Sequence, residues 1–148
     1  MTAETGAANS RRGARDLLVQ ALYQWQLAGH SKDDLHEQFE QQPEFSHIDK
    51  AYFRAVLDLV LDGEEEFDLI IARLADRALQ QLDAIGRGIL LLALAELAHR
   101  PDVPSKVIIN EAVELAKRYG ASESYRFVNA VLDKAAKEFT DRNSALTG

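Results

Sequence analysis

Apolar residues recur along this chain at steps of three and four, the period of helices with one buried face. From Arg11 onward, Ala14, Leu17, Leu18, Ala21, Leu22 and Trp25 mark a first helix, and Gly29 closes it. Ser31 and Asp34 have the spacing of an N-terminal capping interaction, with Leu35 and Phe39 as the apolar side of a short second helix. Gln41 to His47 contains Pro43 and no periodicity, so it reads as a loop. A third helix is expected over about Asp49 to Asp62, with Ile48, Tyr52, Ala55, Val56 and Leu59 inward and Gly63 ending it. Glu64 to Glu66 open a fourth at the helix end that favours negative charge; the run otherwise reads as solvated. Phe67, Ile70, Ile71, Leu74 and Ala78 are its core side.

The later half holds three more helices. Asp83 caps a long apolar helix through His99, stopped by Pro101 and Pro104. Its apolar positions, among them Ile85, Ile89, Leu92, Ala93 and Leu97, cover enough of its circumference to place it centrally. Gly86 and Gly88 cost it about 1 kcal/mol each relative to Ala, a cost that close approach of a neighbouring helix would explain. Pro104 and Ser105 start the next helix, Ser105 as a capping acceptor. Its stripe is Ile108, Ala112, Leu115, Ala116 and Tyr119, and Gly120 ends it, a place where positive φ is common. Ser122 is the expected cap of the last helix, with Glu123 in its first turn and Val128, Val131, Leu132 and Ala135 as its stripe. No stretch alternates with period two over a useful length. The prediction is an all-α fold of about seven helices over residues 11–139, with flexible tails at 1–10 and 140–148.

At 148 residues, with 47% hydrophobic and 28% charged, the chain is an ordinary globular domain in composition. It has no Cys, which removes disulfides and thiolate metal sites and fits a reducing compartment. The start, MTAETGAANS, has no apolar segment of secretory type, and the longest apolar run, Ile89 to Ala95, is too short for a bilayer. A cytoplasmic protein without membrane contact is expected. A net charge of −7 argues against general nucleic-acid binding but leaves room for one local basic site. His30, His36, His47 and His99 are dispersed, with no metal-ligand spacing, and no phosphate-cradling glycine loop or nucleophile elbow is present. No enzyme activity, metal or cofactor is expected.

Two places carry chemistry. Arg12, Arg15, Val19 and Tyr23 share one flank of the first helix, off its buried face, with Arg11 beside them. Arginines below a tyrosine suit phosphate pairing with base stacking, and equally suit a solvated basic face with a half-buried ring. Phe127 lies about 100° off the last helix's stripe, on a flank with Glu123, Ala130 and Lys134. Either an edge-of-core ring or a stacking platform for an unpaired base fits it. Asn110 and Asn129, both mid-helix, suit cross-links between packed helices or contact with a ligand.

KVIINEAVELAKRYG followed by SYRFVNAVLDKAA resembles the C-terminal signature of the NusB transcription antitermination factor family. ARDLLVQALYQWQ, Ala14 to Gln26, looks like that family's first helix, and the resemblance runs from about Arg11 to Phe139. It implies two small helical bundles packed together and no catalysis. It also implies binding of boxA, a short single-stranded RNA element of leader and ribosomal RNA transcripts, together with ribosomal protein S10 (NusE). That complex acts on elongating RNA polymerase to suppress premature termination. Carried over by position, the implied RNA-binding residues are Arg11, Arg12, Arg15, Tyr23, Glu123, Ser124 and Phe127, and Lys106 and Glu111 are the implied S10 contacts. Arg12, Arg15, Tyr23 and Phe127 are expected to meet in one RNA groove. Glu123 stands where the family commonly has Asp, Ala130 where glycine is usual, and Ser105 where tyrosine is common. The glycines at 86 and 88 also depart from it. Some relatives self-associate through the RNA surface, so a homodimer is among the assemblies implied. Two other readings remain at this point: the NusB-like domain of ribosomal RNA cytosine methyltransferases, and a helical adaptor that binds protein only.

Overall fold

The computed structural model describes residues 3–75 and 82–147, with side chains described at 6, 9–75 and 82–140. Among the described residues there are seven α-helices and one 3-10 turn, with no strand. They are α1 (Ala3–Ala28), α2 (Lys32–Glu40), the turn Pro43–His47, α3 (Lys50–Asp62), α4 (Glu64–Leu74), α5 (Ala84–His99), α6 (Ser105–Tyr119) and α7 (Ser124–Thr147). The all-α expectation therefore holds. The chain forms two compact units that meet in sequence between Asp62 and Gly63. Helix α1 begins at Ala3, well before Arg11, because Ala3, Glu4, Ala7 and Ala8 are good helix formers that outweigh the single Gly6. Helix α7 likewise passes Phe139 to Thr147, through a stretch with neither Gly nor Pro. Ala78, expected on the core side of the fourth helix, lies outside the described residues.

In the first unit α1 packs on α2, the 3-10 turn and α3. Its centre is Phe53, fully buried, with the rings of Phe45, Phe39 and His36 at 5.6, 6.5 and 6.5 Å. The inward face of α3 is Tyr52, Phe53, Val56, Leu57 and Val60, one position round from the expected face, so Ala55 and Leu59 are only half-buried. Both possible faces share Tyr52 and Val56, and packing chose the one that also carries the Phe53 ring. Phe45, read as loop, is also core. Ser31 caps α2, its hydroxyl accepting from the Asp34 amide at 3.1 Å. Asp49 does the same for α3, accepting from the Tyr52 amide at 3.1 Å. Gly29 adopts φ 68° and closes α1, as its position implied.

In the second unit α5 packs against α4, α6 and α7 and is buried on every side from Gly88 to Glu96. The Asp83 carboxylate caps it, accepting from the Gly86 amide at 2.6 Å. A Cβ at Gly86 would come 3.1 Å from that carboxylate, so this glycine makes room for the cap and not for a neighbouring helix. Val128, Val131, Leu132 and Ala135 are all buried, as expected. Four local expectations fail. Ser105 makes no capping bond; Pro104 occupies the cap position and its carbonyl accepts from Val107 and Ile108. Tyr119 faces outward, because Ile109 completes the α6 stripe from the other side. Asn110 and Asn129 are exposed and so do not cross-link packed helices. Glu64 is not simply solvated, since Arg87 lies 3.7 Å from it while holding Asp68 with two nitrogens at 2.6 and 3.0 Å.

Candidate nucleic-acid interface

The residues expected to contact RNA fall into two groups, one in each unit. The first is built on α1. Gly13 sits in the middle of that helix, where a Cβ would approach Ile48 Cγ2 to 2.8 Å. The bare backbone lets residues 48 and 49 lie against α1, and the Asp49 amide donates to the Ser10 carbonyl at 3.1 Å. That docking brings Asp49 and Tyr52 under the arginines. Arg11 Nε is 3.4 Å from Asp49 Oδ2, and its guanidinium lies 4.6 Å from the Tyr52 ring centre. Arg15 lies 5.2 Å from the same ring and donates to the Tyr52 hydroxyl at 3.0 Å.

Arg15 is only 3% exposed, and Val19 is buried too, so neither lies off the buried face as expected. The reason is angular. Seven residues carry a helix about 20° short of two full turns, so Arg15 falls about 20° from the core residue Leu22. Arg12 and Tyr23, by contrast, are exposed, Tyr23 by 41%. They stand eleven residues apart on nearly the same line, about 16 Å along the helix axis. Arg12 and Tyr23 thus stand at the surface of the first unit, while Arg11 is held half-buried between Asp49 and Tyr52.

The second group is built on the corner between α6 and α7. Glu123, Ser124 and Phe127 line one cleft of about 260 Å³, whose opposite wall is Leu82, Asp83 and Gly86 at the start of α5. The corner is tighter than the expected cap at Ser122. Gly120 has φ −84°, an ordinary value; it is glycine for space, since a Cβ would fall 2.5 Å from Ser124 Oγ and 2.7 Å from the Ala116 carbonyl oxygen. The left-handed residue is Glu123, at φ 68°, and α7 begins after it with Ser124. A non-glycine residue held there costs about 1–2 kcal/mol, and such strain gathers at working sites. Arg126 holds the Glu123 carboxylate at 2.7 Å. The Ser124 hydroxyl is buried with no hydrogen-bond partner among the described residues, and it lies against the space a Cβ at Gly120 would fill. Phe127 is half-buried, between the two positions the spacing allowed. Sequence reasoning missed Asp83 and Gly86 as the far wall, although the cap they form was legible.

Elsewhere, Lys106 is exposed and Glu111 half-buried on α6. No group of three acidic, histidine or cysteine side chains among the described residues is placed to hold a metal ion. No helix among them is long and apolar enough to cross a membrane.

The model of the NusB family matches residues 12–137. The transcription antitermination protein NusB of Pseudomonas savastanoi pv. phaseolicola is 42% identical over 134 residues, covering 90% of this chain and 81% of that protein. Its counterpart in Yersinia enterocolitica is 46% identical over 127 residues, covering 86% and 92%. Among solved structures, T. maritima NusB aligns with a TM-score of 0.76 at 34% identity, over 86% of this chain and 91% of that one. A chain from a crystal structure of the antitermination factors NusB and NusE in complex with dsRNA aligns with a TM-score of 0.76 at 27% identity, over 88% and 98%. The chain belongs to the NusB family of transcription antitermination factors.

Proposed function

We propose that this chain binds boxA-type single-stranded RNA together with ribosomal protein S10 (NusE), and that the assembly acts on elongating RNA polymerase, notably in ribosomal RNA transcription. It works in the cytoplasm as a binding factor and catalyses no reaction. One observation supports this most: a chain from a structure of NusB and NusE in complex with dsRNA aligns over 88% of this chain. The chain's own surfaces fit that role. Arg12, with Arg11 behind it, offers charge to phosphate, and Tyr23 offers a ring to a base. Arg15 serves from beneath, fixing Tyr52 and through it the position of Arg11. In the second unit Phe127 is the stacking edge of the cleft, and Glu123 and Ser124 are hydrogen-bonding groups for base edges or ribose. Lys106 and Glu111 on α6 are the proposed S10 contacts. With −7 overall, the chain restricts RNA to these places.

Phe127→Ala and Tyr23→Ala test the site, titrated with boxA RNA in the presence of S10 and with a duplex of the same sequence as comparison. Each variant should lose on the order of 1–3 kcal/mol in binding the single strand. A Phe127→Ala protein that folds normally and binds as the parent does removes the cleft from the RNA site. Preference for the duplex would overturn the stacking role, because paired bases hide their ring faces.

A further inference from the structure

The α6–α7 corner carries a feature that the cleft does not use. Tyr119, outward and 41% exposed, has the Arg118 guanidinium 5.6 Å from its ring centre. Across the corner, Tyr125 has Lys117 Nζ at 5.1 Å and Arg126 at 5.7 Å from its ring, and Arg126 Nε donates to its hydroxyl at 3.2 Å. Three cations and two phenol rings thus stand on ten residues, 117 to 126, where the only acid is Glu123. That stretch has a net charge of +2 in a chain of −7. Its ion pairs, Lys117 with Glu114 at 3.6 Å and Arg126 with Glu123 at 2.7 Å, are open to solvent, the Arg126 side chain being 72% exposed. Pairs of this kind are weakly held and exchange readily for a phosphate.

We propose that this cation–tyrosine ledge is a second RNA subsite, which takes unpaired nucleotides flanking the element bound at the Phe127 cleft. The proposal rests on the RNA-binding reading and extends it. Charge and rings alternate here as a single strand requires: ammonium and guanidinium groups for the backbone, ring faces for splayed bases. The ledge adjoins the cleft in sequence: Glu123, Ser124 and Phe127 line the cleft, and Tyr125 and Arg126 stand between them on the first turn of α7.

The test uses the full chain with S10 and two RNAs, the boxA element alone and the same element extended by a few unpaired nucleotides at both ends. The parent protein should bind the extended RNA about tenfold more tightly, the worth of roughly one stacked base. Lys117→Gln/Arg118→Gln and, separately, Tyr125→Leu should lose that gain and bind the short RNA unchanged. The double variant should also lower the salt slope on extended RNA by about 0.7 for each phosphate contact removed. Thermal melts of both variants check folding. No gain on extension, a gain that survives both variants, or equal weakening on both RNAs overturns the ledge. So does loss confined to S10 affinity measured without RNA, which assigns the surface to protein. A parent that binds neither RNA overturns the functional reading itself, and the ledge with it.

Discussion

Tyr52→Phe isolates the support beneath the first-helix arginines. The substitution removes one oxygen and leaves the ring, so the stacking of Arg11 and Arg15 on it remains. What goes is the acceptor for the Arg15 guanidinium at 3.0 Å, at a site where Tyr52 is almost fully buried and Arg15 nearly so. A hydrogen bond to a charged group is worth about 1.5–3 kcal/mol. The expected loss is therefore about 2 kcal/mol in a urea unfolding measurement, seen as a lower midpoint at unchanged slope. Tyr52→Ala, which also removes the ring, should cost about 3–5 kcal/mol. RNA binding by Tyr52→Phe at a temperature where it stays folded should weaken less than that of Arg12→Gln, because Arg15 acts through Tyr52 and not on the strand. Stability within a few tenths of a kcal/mol of the parent would show that the hydroxyl holds nothing. An RNA loss as large as that of Arg12→Gln would make Arg15 a direct contact.

Three further outcomes follow from the same geometry. Gly13→Ala gains up to about 1 kcal/mol of helix propensity but drives a methyl to 2.8 Å from Ile48 Cγ2, so it should destabilise by about 1 kcal/mol net and turn stabilising in an Ile48→Ala background; additivity of the two would refute the contact. Glu123→Gly relieves a φ of 68° and loses only an exposed ion pair, so the denaturation midpoint should rise while RNA affinity falls. A lower midpoint would mean that Glu123 is not strained. The hydrogen bond from Arg54, then its charge and that of His36, hold the Glu40 carboxyl below its ordinary 4.5. A lowered folded value means stability that is present above pH 4.5 and lost as pH falls through the folded value. The parent's advantage over Arg54→Gln should shrink on acidification below that range, and an advantage constant with pH would contradict it.

Most of the fold was legible because its signals are local. The period of apolar residues located the helices, and Ser31, Gly29 and Asp83 marked ends by chemistry that acts within four residues. What escaped depended on contacts distant in sequence. The face of α3 turned by one residue because Phe53 found three rings from other elements. Arg15 went inside because Tyr52, 37 positions away, supplies an acceptor. Gly120 and Glu123 exchanged roles because a Ser124 hydroxyl occupies the space a Cβ at 120 would need. At the candidate site, residue types were legible at Arg12, Tyr23 and Phe127, but the burial that separates a contact from a support was not.

Joint binding of a short unpaired RNA by this acidic helical protein and S10 is the proposal most open to direct test. A gel-shift titration of boxA RNA with the parent chain, with S10, and with both measures it directly. The two proteins together should retard the RNA at concentrations where neither does alone, added salt should weaken the shift, and a scrambled RNA of equal length should bind less well. No shift with both proteins present, or equal shifts for RNAs of every sequence, would contradict it.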